Sequence, residues 1–256
     1  SDITQFDRNF FAHVHFTTQN AIRACALNLS RGHFHRPTLK GELGRIEQKL
    51  VWTSAKFAFW TDIVMALYGG ALKRKEKINA RFGDILSWQY LITATLRRYK
   101  ADGEPREQQI YVAYISALGF SKISEAFDGI YRNMFGGIVG KLFYATVGFC
   151  SRINAIGLAP SDKISHKIAH DMMDGDARDS LSTGIYMGAH KEDGLGRLEH
   201  AYTVLRQNEG LLQRQKRGET LSEEELKTLG EVDAILKDAI MVDSFDLKSY
   251  KAHNLA

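Results

Sequence analysis

Little in this 256-residue chain interrupts a helix. It holds only three prolines, Pro37, Pro105 and Pro160, and each falls between apolar-periodic stretches, which predicts long unbroken helices. Its two cysteines, Cys25 and Cys150, are too few and too far apart for a disulfide framework or a metal knuckle. They are expected to be buried thiols in a reducing compartment. The opening Ser1-Asp2-Ile3-Thr4 has no basic flank followed by an apolar core, so no signal peptide is expected. No uninterrupted apolar run reaches the roughly 20 residues that cross a bilayer; the longest, residues 138 to 150, is broken by Lys141. Charge of one sign is also scarce. The net charge is +4, and acids are mixed among bases except around Lys73, Arg74, Lys75 and Lys77, which argues against nucleic acid as a partner.

What is present is a hydrophobic content of 44%, ordinary for a globular protein, arranged with helical period. Residues 41 to 68 place Leu43, Ile46, Leu50, Thr53, Phe57, Trp60, Val64 and Leu67 at steps of three and four. After Gly69-Gly70 the pattern returns with Ile78, Phe82, Ile85, Gln89, Ile92, Leu96 and Tyr99. A third stripe follows Pro105, with Ile110, Ala113, Ala117, Phe120, Ser124, Phe127, Tyr131 and Met134. These stripes are one face of an α-helix, and the short connections between them predict antiparallel neighbours. An earlier helix is expected over about residues 7 to 30, with Phe10, Val14, Thr17 and Ala21 on one face. The fold class is therefore all-α: an up-and-down helical bundle through residue 135, then an irregular helical C-terminal part. In that part a short apolar helix is expected near 138 to 147, Ser161 caps a helix reaching Met173, and residues 174 to 194 read as loop. Ser222 with Glu225 has capping-box spacing and opens a last helix toward Val242.

Candidate chemistry is sparse. His166 and His170 share a helix face but lack a third ligand and a base, so no metal is expected. Gly69-Gly70 and Gly136-Gly137 follow helices rather than strands, and serve as terminators rather than phosphate loops. The cluster Lys73, Arg74 and Lys75 is less ordinary. If a helix begins near Ala71, three cations crowd its positive end. The compensating anion could be a carboxylate of the fold, the acidic head of a lipid, or a coenzyme A phosphate. Trp52, Trp60 and Trp88 exceed what one inward stripe needs, so some are expected to face a partner.

Two long stretches resemble a known family. One is Gly69-Gly70-Ala71-Leu72-Lys73-Arg74-Lys75-Glu76-Lys77-Ile78-Asn79-Ala80-Arg81-Phe82-Gly83-Asp84-Ile85-Leu86-Ser87, and the other is Leu158-Ala159-Pro160-Ser161-Asp162-Lys163-Ile164-Ser165-His166-Lys167. Both look like the C-terminal region of large bacterial fatty acyl-CoA dehydrogenases, and similarity runs from Phe6-Asp7 through Arg31-Gly32 to Asp243-Ser244-Phe245-Asp246. In that family a glutamate removes the α-proton of a fatty acyl-CoA while the β-hydride passes to FAD. The glutamate's valine-glutamate-glycine motif lies upstream of the matching segment, and this chain has none. The resemblance thus implies FAD in the parent enzyme and none bound by this chain, with no catalytic residue here. It also implies upstream dehydrogenase domains, a homodimer and a cytoplasmic location; the apolar run Ile138 to Ala145 with its Lys141 leaves as the alternative a peripheral inner-membrane or protein-interaction helical module without catalysis of its own. By analogy with the similar mitochondrial very-long-chain enzyme, residues 1–40 connect to the catalytic helical domain, 41–135 form an accessory bundle, and 136–256 the irregular remainder. Anion or interdomain contacts are expected at Lys73, Arg74, Lys75, Arg81, Asp84, Ser161, Asp162, Lys163 and His166.

Overall fold

A computed structural model describes residues 2–173, 176–186, 188 and 194–241. Among the described residues every regular element is helical. The chain divides into two compact units, Ser1–Arg178 and Asp179–Ala256.

The first unit begins with α1 (Asp2–Leu29), α2 (Gly41–Tyr68), a 3₁₀ turn (Gly69–Arg74), α3 (Glu76–Ala101) and α4 (Gln109–Asn133). The expected stripes are the buried ones: Ile46, Thr53 and Val64 on α2, and Ile78, Ile85, Ile92, Leu96 and Tyr99 on α3. The most extensive pairing is α3 with α4. On α4 the buried arc is wider than the predicted stripe, since Val112, Ser116 and Ile123 are buried beside Phe120, Phe127 and Tyr131. The cause is position. Helix α4 also meets α2 and the segments that follow it, so it needs more than one apolar face.

Helix α1 departs from expectation. Asn28 accepts a bond from the Trp52 indole N–H at 3.2 Å, and Asn20 donates to Asp62 at 3.3 Å, which sets α1 antiparallel to α2. Continuing that register, about residue 14 sits level with the end of α2, and the residues before it extend past that helix. Phe10 and Val14, read as an inward face, are accordingly exposed, while Ala24 and Leu27 are buried. After α1 the chain crosses α2 closely. Gly32 adopts φ +84°, and a Cβ there would stand 2.6 Å from the Gln48 carbonyl oxygen, so glycine is required both for conformation and for space. The linker is then tied down by Glu47, whose carboxylate accepts from the backbone N–H of Thr38 at 2.8 Å and of Leu39 at 3.2 Å.

One tryptophan is fully buried and the other two are partly covered. Trp52 is 1% exposed, and Trp60 and Trp88 pack against the same core. Helix α2 with its 3₁₀ turn, Gly41–Arg74, is long and apolar enough to cross a membrane by length and composition, which a rule demanding an uninterrupted run passes over. It packs against α1, α3 and α4, and 28% of its most apolar window is buried.

Beyond α4 come α5 (Gly137–Phe143), a π-helical turn (Tyr144–Gly148), α6 (Phe149–Ile153) and α7 (Asp162–Met173). Helix therefore continues past the expected end at 147. Residues 174 to 194, read as loop, contain α8 (Asp176–Ser182) where described; Ala177, Arg178 and Leu181 favour helix, and the surrounding glycines and aspartates obscured it.

The second unit holds α9 (Gly194–Gln207), α10 (Glu209–Lys216) and α11 (Glu223–Ile240), the first two unanticipated. Its small core is Ala201, Leu229, Val232 and Ala239. The capping box is present: Ser222 Oγ accepts from the Glu225 N–H at 3.2 Å, and Glu225 accepts from the Ser222 N–H at 2.8 Å. Val242 and Asp243-Ser244-Phe245-Asp246 lie outside the described residues.

Candidate functional site

The predicted contact residues fall in three separate places. Lys73 and Arg74 occupy the last turn of the 3₁₀ helix and Lys75 caps α3, which starts at Glu76. The helix thus begins five residues later than Ala71. Lys73 and Arg74 lie at the carbonyl end of the 3₁₀ turn, where the dipole favours them, while Lys75 stands at the junction, at the N-terminal end of α3 next to Glu76. All three are exposed, Lys75 with its ammonium 5.3 Å from the Tyr68 ring centre. The Tyr68 hydroxyl donates to the Met134 carbonyl, which fixes this turn at the C-terminal end of α4.

Arg81 and Asp84 are brought together one turn further on, in a polar cleft shared with Trp88, Lys122 and Asp128. Asp128 is the anchor there. It accepts from the Tyr144 hydroxyl at 2.8 Å and pairs with Arg132 at 3.3 Å and Arg152 at 3.2 Å. Tyr144 can fold back this way because Gly148 lacks a side chain: a Cβ would lie 2.6 Å from the tyrosine ring. Ser161, Asp162, Lys163 and His166 stand elsewhere, at the N-terminal end of α7. Gly157 meets Phe120 and Asp171 acts on Tyr111, so α7 lies along the N-terminal half of α4, away from the basic turn. Among the described residues no group of three or more His, Cys, Asp or Glu converges as a metal site needs.

A fourth place was not anticipated. Lys56 is 7% exposed and lines a cavity of about 270 Å³ between α1, α2, α4, the π-helical turn and α6, with Phe59, Trp60 and Val147 among its walls. Its ammonium donates to Ser151 Oγ at 3.1 Å and lies 4.6 Å from the Phe127 ring centre and 5.5 Å from that of Tyr131. Burial lowers the Lys56 pKa to about 8, and burial raises that of Tyr131 well above the usual range, against a bond with Ser151. Cys25 and Cys150 both line this cavity and are exposed. They are not the buried thiols the sequence predicts, because the surfaces that carry them face the opening. One sequence signal could have found the site. Lys56 is three residues after Thr53 and four before Trp60, a charge set on a core-facing stripe.

Fold and site together define an all-helical domain whose polar groups are dispersed over several surfaces. The chain belongs to the family of acyl-CoA dehydrogenase, C-terminal, bacterial type, which matches residues 1–219. No solved structure matches it.

Proposed function

We propose that this chain is the accessory C-terminal region of an FAD-dependent fatty acyl-CoA dehydrogenase, the enzyme of the first step of fatty acid β-oxidation, and that it buttresses the catalytic domains and the dimer. The family supplies the parent activity. The supporting role rests on the first half of α1, where Phe6, Phe10, Phe11 and Phe16 are 66, 50, 66 and 55% exposed. Fully covering one phenylalanine stabilises by about 1.5–3 kcal/mol, so the stacked pair Phe6 and Phe10, with Phe11 edge-on beside it, favours association. In this reading residues 1–40 connect to the catalytic helical domain, 41–135 are the accessory bundle and 136–256 the irregular remainder. The three polar places, with Lys73, Arg74 and Lys75, with Arg81 and Asp84, and with Ser161, Asp162, Lys163 and His166, contact neighbouring domains or an anion. FAD and the catalytic glutamate belong upstream, in a cytoplasmic homodimer. The Lys56 cavity does not fit FAD: about 270 Å³ is below the roughly 300–1,000 Å³ of pockets for drug-sized ligands, and the dinucleotide is larger than those.

In protein that includes the upstream domains, the double variant Phe6→Asp and Phe10→Asp is expected to lower the assembly mass seen by size exclusion. The 256-residue chain carrying the same changes should keep its melting temperature, since neither ring is buried in it. An unchanged assembly mass refutes the buttress.

A second reading, peripheral membrane contact, draws on α5, where Ile138, Val139 and Leu142 are 85, 64 and 66% exposed beside Lys141. An apolar face next to a cation suits the interface of an acidic bilayer. Sedimentation with phosphatidylglycerol vesicles should then exceed that with phosphatidylcholine vesicles and fall in Leu142→Asp; equal sedimentation with both removes this reading.

A further inference from the structure

A buried ammonium normally meets a carboxylate, because leaving an ion unpaired in apolar surroundings costs several kcal/mol. Lys56 meets none among the described residues. One of its three N–H donors reaches the uncharged Ser151 hydroxyl, and the Phe127 and Tyr131 rings offer only the attraction of their faces. The charge therefore sits at the wall of an open cavity with no counter-ion, and the other walls, including Ala24, Phe59, Trp60 and Val147, call for an apolar body.

We propose that this cavity is a binding site for a small singly charged amphiphile, a carboxylate on an aliphatic chain, with Lys56 and Ser151 holding the head group and Trp60 and Val147 flanking the tail. Size sets the chain length. About 270 Å³, against roughly 30 Å³ for each molecule of liquid water, leaves space for on the order of ten heavy atoms, a chain of about eight carbons. Among the described residues Lys56 is the one cation lining the cavity, which matches a carboxylate better than a doubly charged phosphate. The site does not depend on the accessory role proposed above, since every group that builds it lies in this chain.

Octanoate, 1-octanol and acetate titrated calorimetrically into the 256-residue chain test the proposal. Octanoate is expected to bind at one site, with 1-octanol at least tenfold weaker for want of a charge and acetate weaker still for want of a tail. Lys56→Met should weaken octanoate at least tenfold and leave 1-octanol within a factor of about three. A second measurement needs no variant: octanoate should slow the reaction of Cys25 and Cys150 with a thiol reagent several-fold, as both line the cavity. Absence of octanoate binding, equal affinity for octanoate and 1-octanol, full affinity in Lys56→Met, or thiols that react at the same rate with octanoate bound overturns the assignment.

Discussion

Lys56→Met is expected to stabilise the ligand-free chain at pH 7 by roughly 3 kcal/mol, taking about 1.4 kcal/mol for each unit by which burial displaces the pKa from 10.5 to about 8. The sign follows from proton counting. Below about pH 8 the lysine holds its proton whether folded or unfolded, and the folded chain carries the full burial penalty. Between about 8 and 10.5 only the unfolded chain holds it, so the wild type gains stability as pH rises. Above 10.5 both states are neutral at this position and the penalty is gone. The advantage of Lys56→Met should thus shrink to about 1 kcal/mol at pH 10. The titratable groups facing Lys56, Tyr131 from α4, Cys25 from α1 and Cys150 from α6, are common to both proteins, so the difference isolates the lysine. Urea unfolding of both at pH 7 and pH 10 measures it. A difference that stays constant with pH would show that the ammonium is solvated in the fold, and the counter-ion argument would go with it. Saturating octanoate should narrow the gap at pH 7, because it stabilises only the protein that binds it.

Trp52→Ala should be the most damaging single change in the α1–α2 joint, with a loss of about 3–5 kcal/mol. The side chain is 1% exposed, its Cβ lies close to where a Gly32 Cβ would be, and its indole N–H is the donor to Asn28. Asn154 donates to the Asn28 carbonyl at 2.8 Å, so the same residue also ties α1 to the segment after α6. Losing Trp52 should free the C-terminal half of α1 first. In hydrogen exchange, amides of residues 20–29 should accelerate well beyond those of α3 and α4. Trp52→Phe, which keeps most of the volume and gives up the hydrogen bond, should lose only about 1 kcal/mol. Uniform acceleration along the chain would mean that α1 is an integral part of the core rather than an arm stapled to it. The distinction bears on function, since the arm presents the exposed phenylalanines assigned to the upstream domains.

Local periodicity by itself determined the elements of the bundle. The stripe through Ile78, Ile85, Ile92 and Tyr99 needs only a repeat near 3.6 and one apolar side to mark the buried face of a helix. The three prolines marked its interruptions, and Ser222 with Glu225 marked a helix start, because a cap is made by neighbours in sequence. The two motif stretches pointed to the family for the same reason, as local patterns.

Only the tertiary structure decided where α1 runs out of partner, because Phe10 and Val14 look inward by spacing while α2 ends too soon to cover them. It buried Trp52, left Trp60 and Trp88 partly covered, and opened the surface around Cys25 and Cys150. It moved Lys73 and Arg74 from the positive end of one helix to the negative end of a 3₁₀ turn. It also gathered Lys56, Tyr131 and Ser151, which are scattered along the sequence, at one cavity. A charge on an apolar stripe reports that something unusual faces it, but what faces it is set by which helices meet. That meeting is a balance of burial and chain entropy over the whole molecule, which no local pattern contains.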